Sequence, residues 1–485
     1  MQSIDNGVYK RSLDSLKEYP SLLISFSLYK GLTTLFFFLT PMFPTALPAP
    51  LGGATSITFF CVVIAGCCVF FASAGRKLKI FDNPRYLTSM SAVLILGILS
   101  LCYFTPHITS PVNQAICYCL GVLMTCLGAC AIHIEFGRLM GYLGSTYTLI
   151  YNVGCSVLGL PITAILLNLP LLARTVCSLA LIVIMVHTFF LALNKIGKAK
   201  VYGPSNAHLT IPWRFLGTSF AQGVSVGLAV TVFSHGASMG IWFTALSIFI
   251  ASAVAVLLGL VMRVDYDRLI YHVGFSVIGL ACALTTIVTH DGVLHSMPHL
   301  LLFTAYVYLD IILWSLGSHL IKNCDQPAIW VAACPSASLM AGRVIGSAIG
   351  IMPYTQTSTA ESTDLNAALA ALATFAFMAV AVFMSSSNNL KNGWGFIKPT
   401  DEDVRSDREW ACSLIAEDFH LTQRERDVLF LLAQGVSRAD IAAELVVTPN
   451  TVKTHVRNLY SKLNVHSSDE LLKLIAHQQQ TFETH

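Results

Sequence analysis

Charged side chains are scarce over most of this chain, and that scarcity limits the folds available to it. Residues 21–386 contain 15 Lys and Arg and 9 Asp and Glu in 366 residues, whereas residues 387–485 contain 11 and 14 in 99. A soluble globular chain carries about 25% charged residues. The composition therefore predicts a bilayer-embedded block followed by a water-adapted tail. It excludes a single soluble domain, a disordered chain and a secreted disulfide scaffold.

The apolar residues of the long block fall into runs of the length that crosses a bilayer as a helix, ~20 residues. Breaks at charged residues and at Pro and Gly clusters give twelve runs. They lie near 21–43, 53–75, 87–105, 114–134, 145–167, 171–193, 215–234, 239–262, 270–290, 298–321, 328–352 and 365–386. The sequence thus predicts an all-α protein with an N-terminal segment 1–20 and a twelve-helix membrane domain 21–386.

The connections between these runs alternate in charge. Basic residues occur in the N-terminal segment and in each even-numbered connection: Lys10, Arg11, Lys17, Arg76, Lys77, Lys79, Arg85, Arg138, Lys195, Lys198, Lys200, Arg214, Arg263, Arg268 and Lys322. The odd-numbered connections contain no Lys or Arg. Because cytoplasmic loops carry an excess of Lys and Arg, this pattern predicts a multi-pass protein of the cell inner (cytoplasmic) membrane, with both termini in the cytoplasm.

The longest predicted cytoplasmic connection, 194–214, divides the twelve runs into six and six. This arrangement resembles the major facilitator superfamily, in which two six-helix halves enclose a site near the bilayer midplane. The loop between helices 2 and 3 in that family reads roughly G-x-x-x-D-R-x-G-R-R. Here Gly75–Asp82 is basic but lacks the Asp-Arg core. The resemblance implies the fold, whereas this departure argues against gated transport.

Ionisable residues are costly at membrane depth, so each one is a candidate functional residue. Lys30 lies in the middle of the first run, Asp310 in the middle of the tenth and Arg343 deep in the eleventh. Tyr306, Asp310 and Trp314 are spaced four apart and share a helix face. We expect these five residues to bind a small polar aromatic effector. The alternative is structural: the rings pack against other helices, and Asp310 neutralises Lys30 or Arg343.

The sequence offers little support for a metal site, a cofactor or an enzyme. Cys126, Cys130 and His133 share a helix face, but we find no fourth ligand in the sequence. Buried cysteine commonly acts as a small apolar residue, so we predict no metal site. We find no nucleotide-binding loop or nucleophile elbow either, and we predict a non-enzyme without a cofactor.

A polar linker, 387–408, precedes a helical domain at 409–485. Four helix starts can be identified from capping residues: a capping box at Thr422–Glu425, a second cap at Ser437–Asp440, a Thr-Pro start at Thr448 and a fourth cap at Ser467–Glu470. In the capping box, the Thr422 hydroxyl and the Glu425 carboxylate are each expected to accept a hydrogen bond from a free backbone N–H. Apolar residues at helical spacing follow these caps and can form one small core. They are Val428, Leu429, Leu432, Ile441 and Leu445, with Val452, Val456 and Leu459 of the third helix facing that core. The tail is therefore predicted to form a small four-helix domain.

The third of these helices has a distinct charge. Between Thr448 and Leu463 it carries Lys453, Arg457 and Lys462 and no acidic residue. A capped helix that is basic on its exposed face suits entry into the major groove of DNA. A solvated surface on an ordinary helical bundle would give the same composition.

The residues themselves favour DNA binding, since segment 421–472 resembles the LuxR/NarL-type helix-turn-helix family. The matching elements are Leu421-Thr422, Arg424-Glu425, Ala433-x-Gly435, Ile441-Ala442, Thr451–Val456 and Lys462-Leu463. The resemblance implies that Lys453, Thr454 and Arg457 read bases and backbone in the recognition helix. It also implies phosphate contacts for Thr448, Asn450, Thr451 and Lys462, and a dimerising last helix near 468–477.

Together, the two parts predict a one-component membrane regulator. Its partners would be the lipid bilayer, a small-molecule effector bound among the twelve helices, and double-stranded DNA bound by the tail, with a homodimer on DNA. The competing interpretation is a major-facilitator-type transporter that carries a regulatory DNA-binding tail.

Overall fold

The computed structural model describes most of the long block and about half of the tail. The described ranges are 19–35, 56–75, 83–202, 213–232, 241–262, 264–287, 297–323, 327–356, 359–384, 418–433, 447–467 and 470–472, with a few single residues beside them. The predicted linker 387–408, the helix start at Ser437–Asp440 and nearly all of the segment 1–20 lie outside these residues.

Each of the twelve predicted runs contains a helix within the described residues. The helices are α1 (Pro20–Thr34), α2 (Ser56–Ala74), α3 (Tyr86–Leu99), α4 (Pro111–Leu143), α5 (Ser145–Leu167), α6 (Leu171–Ile196), α7 (Trp213–Val232), α8 (Ile241–Val256), α9 (Ser276–Ile287), α10 (Met297–Asn323), α11 (Ala328–Gln356) and α12 (Thr359–Met384). Helices α3 and α8 continue into π-helical turns, and a π-helix, Arg268–Phe275, precedes α9. Seven described helical segments are long and apolar enough to cross a membrane, so the chain is a polytopic membrane protein.

Several helices extend past the apolar runs. The prediction that five basic residues lie in connections was wrong, because each lies inside a helix: Arg138, Lys195, Arg214, Arg268 and Lys322. Helix α12 likewise begins at Thr359 rather than near 365. A charged residue marks the end of an apolar run, but it does not end a helix when its side chain finds a partner. Arg138 has such partners, since it approaches Glu135 at 3.7 Å and donates to the Phe81 carbonyl at 3.0 Å.

The membrane block has two hydrophobic cores, and their division follows the predicted six-plus-six arrangement. Helices α1–α6 supply nearly all of the first core, which includes the fully buried Phe26, Tyr118 and Phe189. Helices α7–α12 and the π-helix before α9 supply nearly all of the second, which includes the fully buried Tyr271 and Phe275. We call these two groups of helices the first half and the second half.

Helices α7 and α11 pack with their backbones in close contact. A Cβ atom added to Gly342 would collide with the Phe220 carbonyl oxygen, and one added to Gly223 would collide with that of Leu339. Small residues are the usual means by which membrane helices approach so closely. This contact fixes the position of α11, the helix that carries Arg343.

The tail forms a compact unit with its own core. Its two fully described helices are α13 (Gln423–Ala433) and α14 (Pro449–Leu463). Val428 and Leu429 of α13 pack with Ile441, Val452 and Leu459, and all five side chains are buried. These are the apolar positions expected from helical spacing, so the prediction of one small core is confirmed.

Candidate functional sites

The five residues proposed for effector binding line one cavity. Lys30, Tyr306, Asp310, Trp314 and Arg343 all border a space of about 260 Å³ between the two halves. The four-residue spacing therefore correctly placed Tyr306, Asp310 and Trp314 on one face of α10. Ligand sites commonly form in concave spaces between packed units of this kind.

An ion pair between the halves borders the cavity. Lys30 Nζ of α1 donates to Asp310 Oδ2 of α10 at 2.8 Å. The same ammonium group lies 5.4 Å from the centre of the Phe26 ring and 5.2 Å from that of Trp314. Both contacts are at cation–π distance. The structural alternative thus describes the direct partner of Asp310 correctly, but the pair still borders open space.

A second polar connection between the halves runs through His133. Its Nδ1 hydrogen-bonds the Tyr29 hydroxyl of α1 at 2.7 Å, and its Nε2 hydrogen-bonds Ser336 Oγ of α11 at 2.9 Å. Both ring nitrogens are therefore engaged. Sequence reasoning considered His133 only as a metal ligand and missed Tyr29 and Ser336. The position of Tyr29 directly before Lys30 was the one available signal.

Arg343 of α11 and Tyr306 of α10 border the same cavity from the second half. The Arg343 side chain is 3% exposed. The Tyr306 backbone carbonyl accepts from Gln222 Nε2 of α7 at 3.2 Å. This bond links α7 to α10 beside the cavity. Gln222 also lines the cavity and was not identified from the sequence.

Further contacts join the halves at the end of the bundle where α4 turns into α5. Thr148 Oγ1 donates to Ser318 Oγ at 2.8 Å, and Ser315 Oγ donates to the Ser145 carbonyl at 2.9 Å. Lys322 Nζ adds a bond of 3.2 Å to the last residue of α4, the Leu143 carbonyl. Ser318 also lines the cavity, so these bonds join the cavity wall on α10 to the α4–α5 turn.

In the tail, hydrogen bonds fix the start of α14. Thr448 caps the helix, with its hydroxyl accepting from the Thr451 backbone N–H at 3.3 Å, and Pro449 follows at the first helical position. The Thr454 hydroxyl donates to the Asn450 carbonyl at 3.1 Å. The predicted third helix start is therefore confirmed. Thr448, Asn450 and Thr454 remain exposed at this end of the helix.

Helix α14 has one buried face and one basic face. Val452, Val456 and Leu459 are buried in the core of the tail, whereas Lys453 and Arg457 are exposed one turn apart on the opposite side. A helix with exposed cationic side chains on its outer face can contact phosphates and base edges together.

Lys462 occupies a different position from the other candidate DNA contacts. Its ammonium group donates to Glu425 Oε2 of α13 at 2.7 Å, which ties the two helices together. The Lys462 side chain is nevertheless 37% exposed.

Glu425 also belongs to the predicted capping box. Its carboxylate accepts from the Thr422 backbone N–H at 2.9 Å, as predicted. The Thr422 hydroxyl was expected to accept a hydrogen bond from a backbone N–H. Instead it donates to the same carboxylate at 2.8 Å, because an ionised carboxylate is a strong acceptor. Burial opposes ionisation of Glu425, but the bonds from Lys462 and Thr422 outweigh it and lower the pKa of the carboxyl.

Comparison with known proteins identifies the tail. Residues 420–475 match the model of bacterial regulatory proteins, luxR family. Over 86 residues the chain is 36% identical to the uncharacterised response regulatory protein YgeK of Escherichia coli (strain K12). That alignment covers 18% of this chain and 56% of YgeK, so the chain spans about half the length of this relative.

A solved structure resembles the membrane block in fold. It is the crystal structure of a bacterial homologue of the iron transporter ferroportin in an outward-facing state with soaked iron. The match has a TM-score of 0.53 at 15% identity and covers 76% of this chain and 99% of the homologue. At that identity the likeness establishes the fold alone. The chain therefore joins an N-terminal membrane region with a transporter-like, major-facilitator-like fold to a C-terminal LuxR-type helix-turn-helix domain.

Proposed function

We propose that this protein is a membrane-bound one-component transcriptional regulator, in which a small molecule bound in the central cavity controls DNA binding by the tail. The observation that carries the proposal is the Lys30–Asp310 ion pair, which borders the cavity and joins the two halves of a transporter-like bundle. A ligand that favours one arrangement of the halves would shift their equilibrium, with a coupling of about 1–3 kcal/mol in typical cases.

On the DNA side, Lys453, Thr454 and Arg457 would read the major groove, while Thr448, Asn450, Thr451 and Lys462 would lie along the phosphates. Residues 421–475 contain seven Lys and Arg and six Asp and Glu, so one copy of the domain is nearly neutral. Non-specific affinity for DNA comes mostly from phosphate contacts. We therefore propose that the protein binds DNA as a homodimer, since two copies double those contacts.

The regulator is tested with the full-length protein in lipid nanodiscs and fragments of the source genome. We expect selective retention of a few fragments by the wild type and none by a Lys453→Ala/Arg457→Ala variant. A transcriptional reporter joined to a retained fragment then serves to screen small molecules. Asp310→Asn and Arg343→Ala should abolish the response while leaving membrane insertion unchanged. Equal retention of DNA by wild type and variant would refute the proposal.

The second candidate is a transporter with a regulatory tail, which the transporter-like fold and the central cavity favour. Proteoliposomes separate the two functions. A regulator binds the ligand identified by the reporter without moving it across the membrane, whereas a transporter accumulates it. Ligand-dependent DNA binding without flux would eliminate transport.

A further inference from the structure

We propose that the effector is a small zwitterion of amino-acid size with an apolar or aromatic body, which inserts between Lys30 and Asp310. Its carboxylate would bind the Lys30 ammonium and its ammonium would bind the Asp310 carboxylate. This assignment rests on the proposed function, because it names the ligand of the same cavity.

Both ends of the ion pair can be reached from the cavity. The Asp310 side chain is 32% exposed and that of Lys30 is 12% exposed, and both residues line the cavity. A ligand can therefore contact each charged group without disrupting either hydrophobic core. The 2.8 Å separation of Lys30 Nζ and Asp310 Oδ2 leaves no room for a bridging molecule, so insertion must open the pair.

Charge balance at the Lys30–Asp310 pair selects the ligand class. Removing one partner from a buried ion pair leaves an uncompensated charge, which is strongly unfavourable. A simple amine would bind Asp310 and leave the Lys30 charge uncompensated. A simple carboxylate would bind Lys30 and leave the Asp310 charge uncompensated. A neutral molecule satisfies neither group. A zwitterion replaces both partners at once and changes no net charge at membrane depth.

The surrounding rings fit the body of such a molecule. Trp314 and Tyr29 both line the cavity beside the ion pair, and their ring centres lie 6.3 Å apart. Trp314 also contacts His133 edge-on at 5.0 Å. An apolar or aromatic side chain attached to the zwitterion would lie against this aromatic wall.

Insertion also supplies a physical link to regulation. Lys30 belongs to the first half and Asp310 to the second, so a ligand placed between them replaces a direct contact by a longer, ligand-mediated one. The halves must separate at this point to admit it. Because the ligand contacts exist only in the separated arrangement, binding favours that arrangement over the closed one.

The test uses the purified full-length protein and sets of three matched probes. One set is phenylalanine, 2-phenylethylamine and 3-phenylpropionate, which share a phenyl body and are zwitterion, cation and anion at neutral pH. Equivalent sets are built on the other apolar amino acids. Binding is measured by calorimetry and by the rise in unfolding temperature. We expect at least one zwitterion to bind roughly tenfold or more tightly than its amine and its acid, since each of these lacks one charge-assisted bond.

Variants of the pair make the test specific. Lys30→Met should shift preference from the zwitterion to the matched amine, and Asp310→Asn should shift it to the matched acid. The double variant Lys30→Asp/Asp310→Lys retains both charges and should bind the zwitterion in reverse orientation. If either single variant fails to fold, the double variant replaces it in the test. Binding of the probe sets to the wild type shows by itself whether the cavity prefers a zwitterion.

The proposal is overturned if no zwitterion binds, or if an amine or an acid binds the wild type most tightly. These failures differ from failure of the proposed function. A zwitterion that binds without altering DNA retention would refute the regulator and leave the ligand class standing. A reporter response to a singly charged molecule, with none to any zwitterion, would refute the ligand class and leave the regulator standing.

Discussion

Lys462, near the end of the basic helix α14, forms an ion pair of 2.7 Å with Glu425, the acid of the capping box that starts α13. One carboxylate therefore fixes the start of one helix and the position of the next. Lys453 and Arg457 project from the helix that this contact holds in place. The geometry of the candidate DNA-binding surface thus depends on a residue on another helix.

Glu425→Gln should destabilise the tail by about 1 kcal/mol, a value below the usual range for charge-assisted bonds because Lys462 is partly exposed. The measurement is urea unfolding of segment 405–485, which contains the core of the tail. Asp427→Asn is the matched control, since Asp427 pairs with Arg424 at 3.9 Å on the exposed side of the same helix. Equal losses from the two substitutions would contradict a special role for Glu425.

The same pair predicts a pH dependence. Folding lowers the pKa of the Glu425 carboxyl, so the native state binds fewer protons there than the unfolded state. The stabilisation is therefore complete above the unfolded glutamate pKa of about 4.3, and it is lost as the pH falls through the lower folded value. The free energy of unfolding of the wild type and of Glu425→Gln is measured between pH 7 and pH 2. The difference between the two should stay constant above about pH 4.3 and shrink below it.

Lys453→Ala and Arg457→Ala should each weaken DNA binding by about 1–3 kcal/mol if the side chain reads a base. A residue that contacts only phosphate should instead reduce the salt dependence of binding by about one unit. Titration of a retained fragment at several salt concentrations separates the two roles. Gln423→Ala, an exposed change on α13, should leave both quantities unchanged.

Glu135 forms a buried polar cluster that should contribute measurably to the stability of the membrane block. Its carboxylate accepts from Tyr86, which starts α3, and from Tyr202, which follows α6. Tyr86→Phe and Tyr202→Phe should each cost about 1.5–3 kcal/mol, as expected for hydrogen bonds to a charged group. Thermal unfolding in detergent measures this loss.

Tyr103→Phe provides the control for the Glu135 cluster, because the Tyr103 side chain is 57% exposed. It should leave the unfolding temperature unchanged. A fall as large as that of Tyr86→Phe would show that loss of any tyrosine hydroxyl, rather than this cluster, lowers stability.

Gly342→Ala should disrupt the packing of α7 against α11, since the added methyl group meets a backbone carbonyl that cannot move aside alone. Overpacking of this kind costs about 1–3 kcal/mol. The matched control is Gly66→Ala in α2, where an added Cβ has no neighbour within 4 Å. Unfolding temperatures in detergent should fall for the first variant only.

Local patterns predicted the helices well because the cause of each pattern is local. Bilayer thickness sets the length of an apolar run, and caps such as Thr448 act within one turn of the helix that they start. The same reasoning failed at Arg138 and Lys195. An apolar run in the sequence indicates the part of a helix that lies in the bilayer. The helix itself can continue past that run as long as its backbone and charged side chains find partners.

The sequence by itself determined the membrane block, its helices and the helix-turn-helix tail, and it selected Lys30, Asp310 and Arg343 as costly residues at membrane depth. Only the tertiary structure decided which groups meet. Lys30 and Asp310 are separated by 280 residues, and His133 joins Tyr29 to Ser336 across the two halves. Hydropathy and periodicity describe one helix at a time, whereas an ion pair depends on how helices that are distant in sequence pack together.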